Sequence, residues 1–329
     1  MGVRHKLSAL ALAALGVACM LAAQPTTAQI PLTAARPDPN DPDAVLVEEL
    51  VVRGRLPGPA WWTVSDADTT VYVLGSPSLA PRHMDWDRAV FERRLKGANA
   101  VILPFQQIRV TVGGAFAAAV TYLRLRSGTP FEETLEPPAR ARFVALRTRL
   151  GQPASHYGTR SALAAGLILA NDNRERTGLT VTDPTKLIRL LARQARVPIL
   201  QKSYEIGPLM GAIARTPALA ARTCLDEVMS TVEAGPAGTI AAARAWAQGD
   251  VRGALGNERT FERCIAGVPG VQTFDAQVKA DQVAAIETAL KTPGHAIAVV
   301  QLRPLLAQGG VLDRLRAKGF AVTTPGDEE

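Results

Sequence analysis

His83 and Asp85 stand two residues apart in Pro81-Arg82-His83-Met84-Asp85, an imidazole and a carboxylate of the kinds that bind a divalent cation. No partner histidine is identifiable, so an exposed loop histidine is the simpler reading of His83. Ser76 and Ser78 lie in Gly75-Ser76-Pro77-Ser78, after a strand and before a helix, where a nucleophile would be presented. That turn lacks the G-x-S-x-G pattern, and the sequence places no base beside it. His156 and His295 are solitary, next to Ser155 and Gly294, and read as surface or hydrogen-bonded structural residues. Gly113-Gly114 has no following phosphate-loop lysine, so nucleotide binding is unsupported and no cofactor is expected. Trp61, Trp62 and Trp86 could line a groove; packing around the first strand explains them more simply.

Cys19, Cys224 and Cys264 are the three cysteines of the 329 residues. Residues 1–28 read as a secretory signal peptide, with a basic start at Arg4, His5 and Lys6 and an apolar run from Leu7 to Met20. Thr26-Thr27-Ala28 offers a cleavage site before Gln29, and Leu21-Ala22-Ala23 a second; an uncleaved anchor is the alternative. Cys19 follows Gly16-Val17-Ala18, which lacks the large aliphatic residue of a lipoprotein signal. Cys224 and Cys264 then remain as an even pair in an exported chain, and a disulfide is expected. It would close a loop of about 40 residues, worth roughly 4 kcal/mol in the chain-entropy view. Two cysteines without nearby histidines make a poor metal site.

The elements that would position these residues are α/β. Residues 29–58 carry five prolines, with Pro59 directly after, and read as an irregular leader with a short strand at Val45–Val52. Thr69–Leu74 and Ala100–Leu103 read as strands around a helix capped by Asp85, giving a parallel pair with a crossover. Helices follow at Ser161–Asn171, from Asp183-Pro184 to Arg196, and near 217–234, 237–248, 257–265 and 275–291. The last carries Val278, Gln282, Ile286 and Leu290 along one side. Pro198–Gln201 and Ala296–Gln301 read as strands, and Val311–Lys318 as a helix before a strand at Phe320–Thr323. The expected fold is a mixed central sheet built from N- and C-terminal segments, a single unit at 59–325 with a mainly helical insertion at about 110–270. Removing residues 1–28 leaves 35 basic against 30 acidic residues, +5, scattered at helical spacing; a solvated surface is expected, without nucleic acid as partner. Beyond the signal peptide nothing is long and apolar enough for a membrane span.

Three segments carry a resemblance. Trp61–Pro104 resembles the opening of the TraB/GumN family, whose members look like secreted or membrane-associated metal-dependent hydrolases. Arg244-Ala245-Trp246-Ala247-Gln248-Gly249-Asp250 is similar to its tryptophan and Gly-Asp helix–loop, and Ala296–Val322 to its C-terminal strand, turn and helix. The resemblance implies histidines after the first and last of these strands and a glutamate after the second. Here the histidine positions fall on Ser78 and Pro304, a turn glycine on Gln301, and the glutamate on Pro104. A further family glutamate falls among Gln201-Lys202-Ser203, with Glu205 out of register, and an Arg-Asn pair near Val278-Lys279 is missing. Proline has no donor atom, and a serine hydroxyl is a feeble metal ligand. No family catalytic or metal residue carries over. The expectation is an exported, non-catalytic binding or scaffolding protein of the periplasm, with a peptide or envelope protein as its unidentified partner. The alternative is a metal-dependent peptidase or hydrolase whose site is rebuilt on His83, Asp85 or Glu205.

Overall fold

A computed structural model describes residues 41–109, 129–181, 184–205, 213, 215–256 and 259–326. The expected signal peptide with Cys19, the leader up to residue 40, Gly113-Gly114 and Asp183 lie outside the described residues.

Aromatic and β-branched residues open the sheet as a hairpin, β1 (Trp61–Ser65) and β2 (Thr69–Ser76), paired from Trp61↔Leu74 to Ser65↔Thr70. The turn is tied by Asp66, whose carboxylate accepts from the Asp68 and Thr69 amides at 3.3 and 3.0 Å. β3 (Ala80–Pro81), α1 (Ala89–Leu95) and β4 (Val101–Arg109) follow. The helical stretch begins with α2 (Pro137–Arg149), α3 (Ala154–Tyr157) and α4 (Ala162–Arg176), then β5 (Leu179–Thr180), α5 (Thr185–Gln194) and β6 (Ile199–Glu205). It continues with α6 (Ala218–Ala234), α7 (Ala237–Ala247), α8 (Val251–Leu255), α9 (Thr260–Ala266) and α10 (Val271–Leu290). β7 (Gly294–Gln301), α11 (Leu302–Leu306), α12 (Val311–Ala317) and β8 (Ala321–Thr323) close the fold.

The six-stranded sheet runs β6-β4-β7-β2-β1-β8, so N- and C-terminal strands share one mixed sheet. β2 and β4 were expected to be neighbours. They are parallel but separated by β7, which pairs with both. The reason is burial: Ala296–Val300 are each at most 1% exposed, and a strand buried on both faces belongs in the centre. Along each strand, alternate residues serve opposite faces. Trp62, Val64, Val71, Val73, Ala298 and Val300 pack with α10, α11 and α12. Trp61, Leu74, Val101, Leu103, Ile297 and Val299 pack with α1, α5 and Trp246 of α7. A third core lies within the helical stretch, where α2, α4 and α6 meet and Ser161 caps α4 by accepting from the Ala164 amide at 3.3 Å.

Four local expectations change. The carboxylate that receives the first amide of α1 is Asp87, at 2.8 Å from the Ala89 nitrogen, rather than Asp85. Pro184 precedes α5 as its cap residue instead of opening its first turn. Residues 45–52 form a short 3-10 turn at Glu48–Leu50 flanked by isolated bridges Leu46↔Ala307 and Arg53↔Asp250, where a strand was expected. Leu50 is nonetheless fully buried, and its carbonyl accepts from the Trp62 indole at 3.2 Å. The buried stripe of α10 is Lys279, Val283, Ile286 and Leu290, a register that puts a lysine on the core side.

The opposite flank of α10 ties the helix to the edge strand. Asp281 accepts from the Lys202 ammonium at 2.6 Å, the Tyr204 hydroxyl at 2.7 Å and the Gln277 amide at 3.0 Å. Burial raises the Asp281 pKa, but these donors outweigh it and hold the carboxyl below its ordinary value. Asp281→Asn is therefore expected to cost about 1–3 kcal/mol at neutral pH. A depressed carboxyl contributes stability above its unfolded pKa and loses it as pH falls through the folded one. The difference between variant and parent in urea midpoint should accordingly shrink as the pH is taken down through the carboxylate range. A constant difference at every pH would rule out the ionised carboxylate as its source.

Candidate functional site

Parallel strands deliver their carboxyl ends to one edge, where open α/β sheets bind ligands. β2, β7, β4 and β6 do so here: Ser76 is level with Gln301, and Leu103 with Gln201. Ser78 lies half-buried just past β2, Pro104 is buried in β4, and Pro304 sits half-buried inside α11. The topology thus collects at one edge the very positions singled out in the sequence.

The edge is filled with hydrocarbon. Leu302 is 5% exposed, Leu305 0% and Trp246 2%. The Trp246 indole donates to the Gly75 carbonyl and stacks edge-on to Trp86 with ring centroids 5.5 Å apart. Gly75 lets this packing close up: a β-carbon there would lie 2.4 Å from Leu302 Cδ1 and 3.1 Å from the Trp62 ring, so the leucine would have to shift. The gap that remains between Ala60, Gly75, Trp246, Asp250 and Leu302 is too tight for a water molecule. Two of its polar groups are turned to the scaffold: Ser76 Oγ donates to the Val300 carbonyl at 3.4 Å, and the Gln201 amide to the Pro104 carbonyl at 2.7 Å. Gly249, with φ of 73°, makes the Gly-Asp turn possible, and Asp250 then caps α8 by accepting from the Gly253 amide at 3.0 Å.

This donor set does not fit a divalent metal. Among the described residues no three His, Cys, Asp or Glu side chains form a group that could hold one. His83, Asp85 and Glu205 are all described and all exposed.

The other described histidines, His156 and His295, each contact the scaffold. The His156 ring lies 3.0 Å from Asp172 Oδ2, which also accepts from the Tyr157 hydroxyl at 2.8 Å; burial and Asp172 push that phenol far up. The His295 ring reaches the Arg94 carbonyl at 2.8 Å and packs edge-on to Tyr72. Trp61, Trp62 and Trp86 are core residues, at most 6% exposed. Cys224 and Cys264 form a disulfide joining α6 to α9, with a Cα–Cα distance of 4.3 Å.

A second polar assembly, unseen in the sequence, lies beside α10 and α11. Lys279, only 2% exposed, donates to Asp43 at 2.6 Å and Asp275 at 2.7 Å. Arg259 grips both carboxylate oxygens of Asp41, one of them at 2.6 Å. Arg303 donates to the Leu255 carbonyl and stands close enough to Arg259 and Glu262 to feel both charges. Burial, opposed by Lys279, raises the Asp43 pKa, and burial likewise raises that of Glu262. The only sequence signals were two aspartates in a proline-rich leader and a lysine where the resemblance implied an Arg-Asn pair.

A family model described as TraB/PrgY/gumN family matches residues 60–324. No curated protein and no solved structure matches the chain.

Proposed function

We propose that this chain, which belongs to the TraB/PrgY/gumN family, is an exported binding or scaffolding protein of the cell envelope that does not use the family's metal-dependent hydrolysis. One observation carries the reading: the carboxyl edge where a metal would activate water is packed with Leu302, Leu305 and Trp246 and offers no convergent donors among the described residues. The replacement of ligand-type residues by Ser78, Pro104 and Pro304 supports it from the sequence side. Export is supported by residues 1–28 and by the Cys224–Cys264 disulfide, which suits an oxidising compartment. Among the described residues no helix is long and apolar enough to cross a membrane.

The test is metal content by mass spectrometry on protein purified from the periplasm without chelators, followed by titration with Mn²⁺, Co²⁺ and Zn²⁺. The expected result is no stoichiometric ion and no shift in the thermal unfolding midpoint. One tightly held ion per chain, or metal-dependent cleavage of peptides, would overturn the reading. It would favour a rebuilt hydrolase, to be mapped by substituting His83, Asp85 and Glu205.

A further inference from the structure

We propose that Arg259, Lys279 and Arg303 form a binding site for an acidic peptide, and that Asp41-Pro42-Asp43 of this chain occupies that site in cis. The proposal goes beyond the loss of catalysis and holds whether or not a metal is found.

Arg259, at the cap before α9, and Lys279, in the middle of α10, each hold an aspartate of this one short segment, while Arg303 of α11, bonded to the Leu255 carbonyl, stands near enough to feel the charges of Asp41 and Asp43. Lys279 decides the argument. An ammonium 2% exposed is tolerated only with close anionic partners, because stripping its water costs several kcal/mol. One partner, Asp275, is native to α10, four residues away. The other, Asp43, belongs to a segment outside every helix and strand of the fold. The same segment supplies Asp41 to Arg259 as a two-oxygen grip, the geometry by which guanidinium recognises carboxylate.

Charge balance sets the sign of what happens when the segment leaves. With it in place, the three cations face Asp41, Asp43, Asp275 and Glu262. Without it, Asp275 and Glu262 remain against three cations, and the vacated spot attracts an anion. Donor capacity is already in excess, since the buried Arg259 Nε has no hydrogen-bond partner. The occupant defines the ligand: two carboxylates, two residues apart, on a tight turn closed by the Ala44 amide on the Asp41 carbonyl and the Asp43 amide on Asp41 Oδ1, both at 3.1 Å.

Beyond the ion pairs, the segment is held to the end of α11 and the residues after it by the Val47 amide on the Leu306 carbonyl and the Gln308 amide on the Val45 carbonyl, both at 2.9 Å. Leu46 and Val47 rest half-buried against the core while Leu50 is fully buried, so lifting residues 41–47 peels two partial apolar contacts and leaves the Leu50 anchor in place.

The probe is a fluorescein-labelled peptide of residues 37–49, PDPNDPDAVLVEE, and its control with both Asp41 and Asp43 as asparagine. Binding is read by anisotropy to the mature chain and to its D41N/D43N variant. A tethered segment competes at an effective concentration in the millimolar range, so the wild type should bind the probe at least about tenfold more weakly than the variant. Binding to the variant should fall with added salt, be lost on further substituting Lys279→Gln, and be absent for the control peptide. A folded D41N/D43N chain that binds no better than wild type, or that binds the control equally, overturns the proposal. Should that variant not fold, hydrogen exchange on the wild type decides: millimolar probe should speed exchange of the Ala44 and Val47 amides, and unchanged protection overturns the assignment.

Discussion

Trp246→Ala is expected to be the most damaging single substitution, lowering stability by about 3–5 kcal/mol. The indole is 2% exposed, sits edge-on to Trp86, and closes the carboxyl edge of the sheet against Gly75 and Leu302. Its removal leaves a cavity that the surrounding β-strands are too stiff to collapse, and it strands the buried Gly75 carbonyl without its donor, itself a cost of about 1–3 kcal/mol. Trp246→Phe separates the two contributions: most of the packing returns while the N–H does not, so an intermediate loss of about 1–3 kcal/mol is expected. Urea unfolding would measure both, with the midpoint moving and the slope unchanged if only the native packing is affected. A loss below about 1 kcal/mol for the alanine variant would mean that the edge is not closed by this side chain. It would also remove the main structural support for a non-catalytic role, because an open edge is where family chemistry would need room.

Breaking the Cys224–Cys264 bridge, by Cys224→Ser with Cys264→Ser, should cost about 4 kcal/mol, the loop-closure entropy for a separation of 40 residues. Both positions are buried in the helical core, with Cys224 at 2% and Cys264 at 4% exposure, so the serines add the penalty of buried hydroxyls. The bridge also matters beyond α6. It pins α9, whose preceding residue Arg259 holds Asp41, so its loss should loosen the leader segment as well as the helical core. Unfolding of the oxidised and fully reduced wild type in the same urea series checks the magnitude. Equal midpoints would show that packing of α6 against α9, and not the covalent link, carries that contact.

The sequence alone was strongest where structure is local. The β-branched run at Thr69–Leu74, the apolar run at Ala296–Gln301 and the helices near 218–234 and 237–247 stand within a few residues of where they were expected. Period-two and period-3.6 patterns are written by immediate neighbours, and they survive because each element buries the face its own spacing makes apolar. The shared sheet of N- and C-terminal strands was legible for the same reason: neither set of apolar strands can bury both faces alone. The disulfide was legible because, once Cys19 is assigned to the expected signal peptide, the two remaining cysteines have one pairing.

The candidate site was only half legible. Gly75, Ser78, Pro104 and Pro304 could be picked out as positions, yet nothing in the spacing said that Leu302 and Trp246 would fill the space between them, since Trp246 and Gly75 meet across 171 residues. The order β4-β7-β2 and the burial of Lys279 against Asp43, 236 residues apart, were likewise decided by tertiary structure. A lysine in a helix reads as solvated by every local rule, and a proline-rich leader reads as unpacked. Each becomes buried only because the other supplies the opposite charge. What the sequence by itself determined is the set of elements and their apolar faces. Which strand lies between which, what plugs the sheet edge and where the leader docks depend on contacts between residues far apart in the chain, and short-range periodicity carries no information about those.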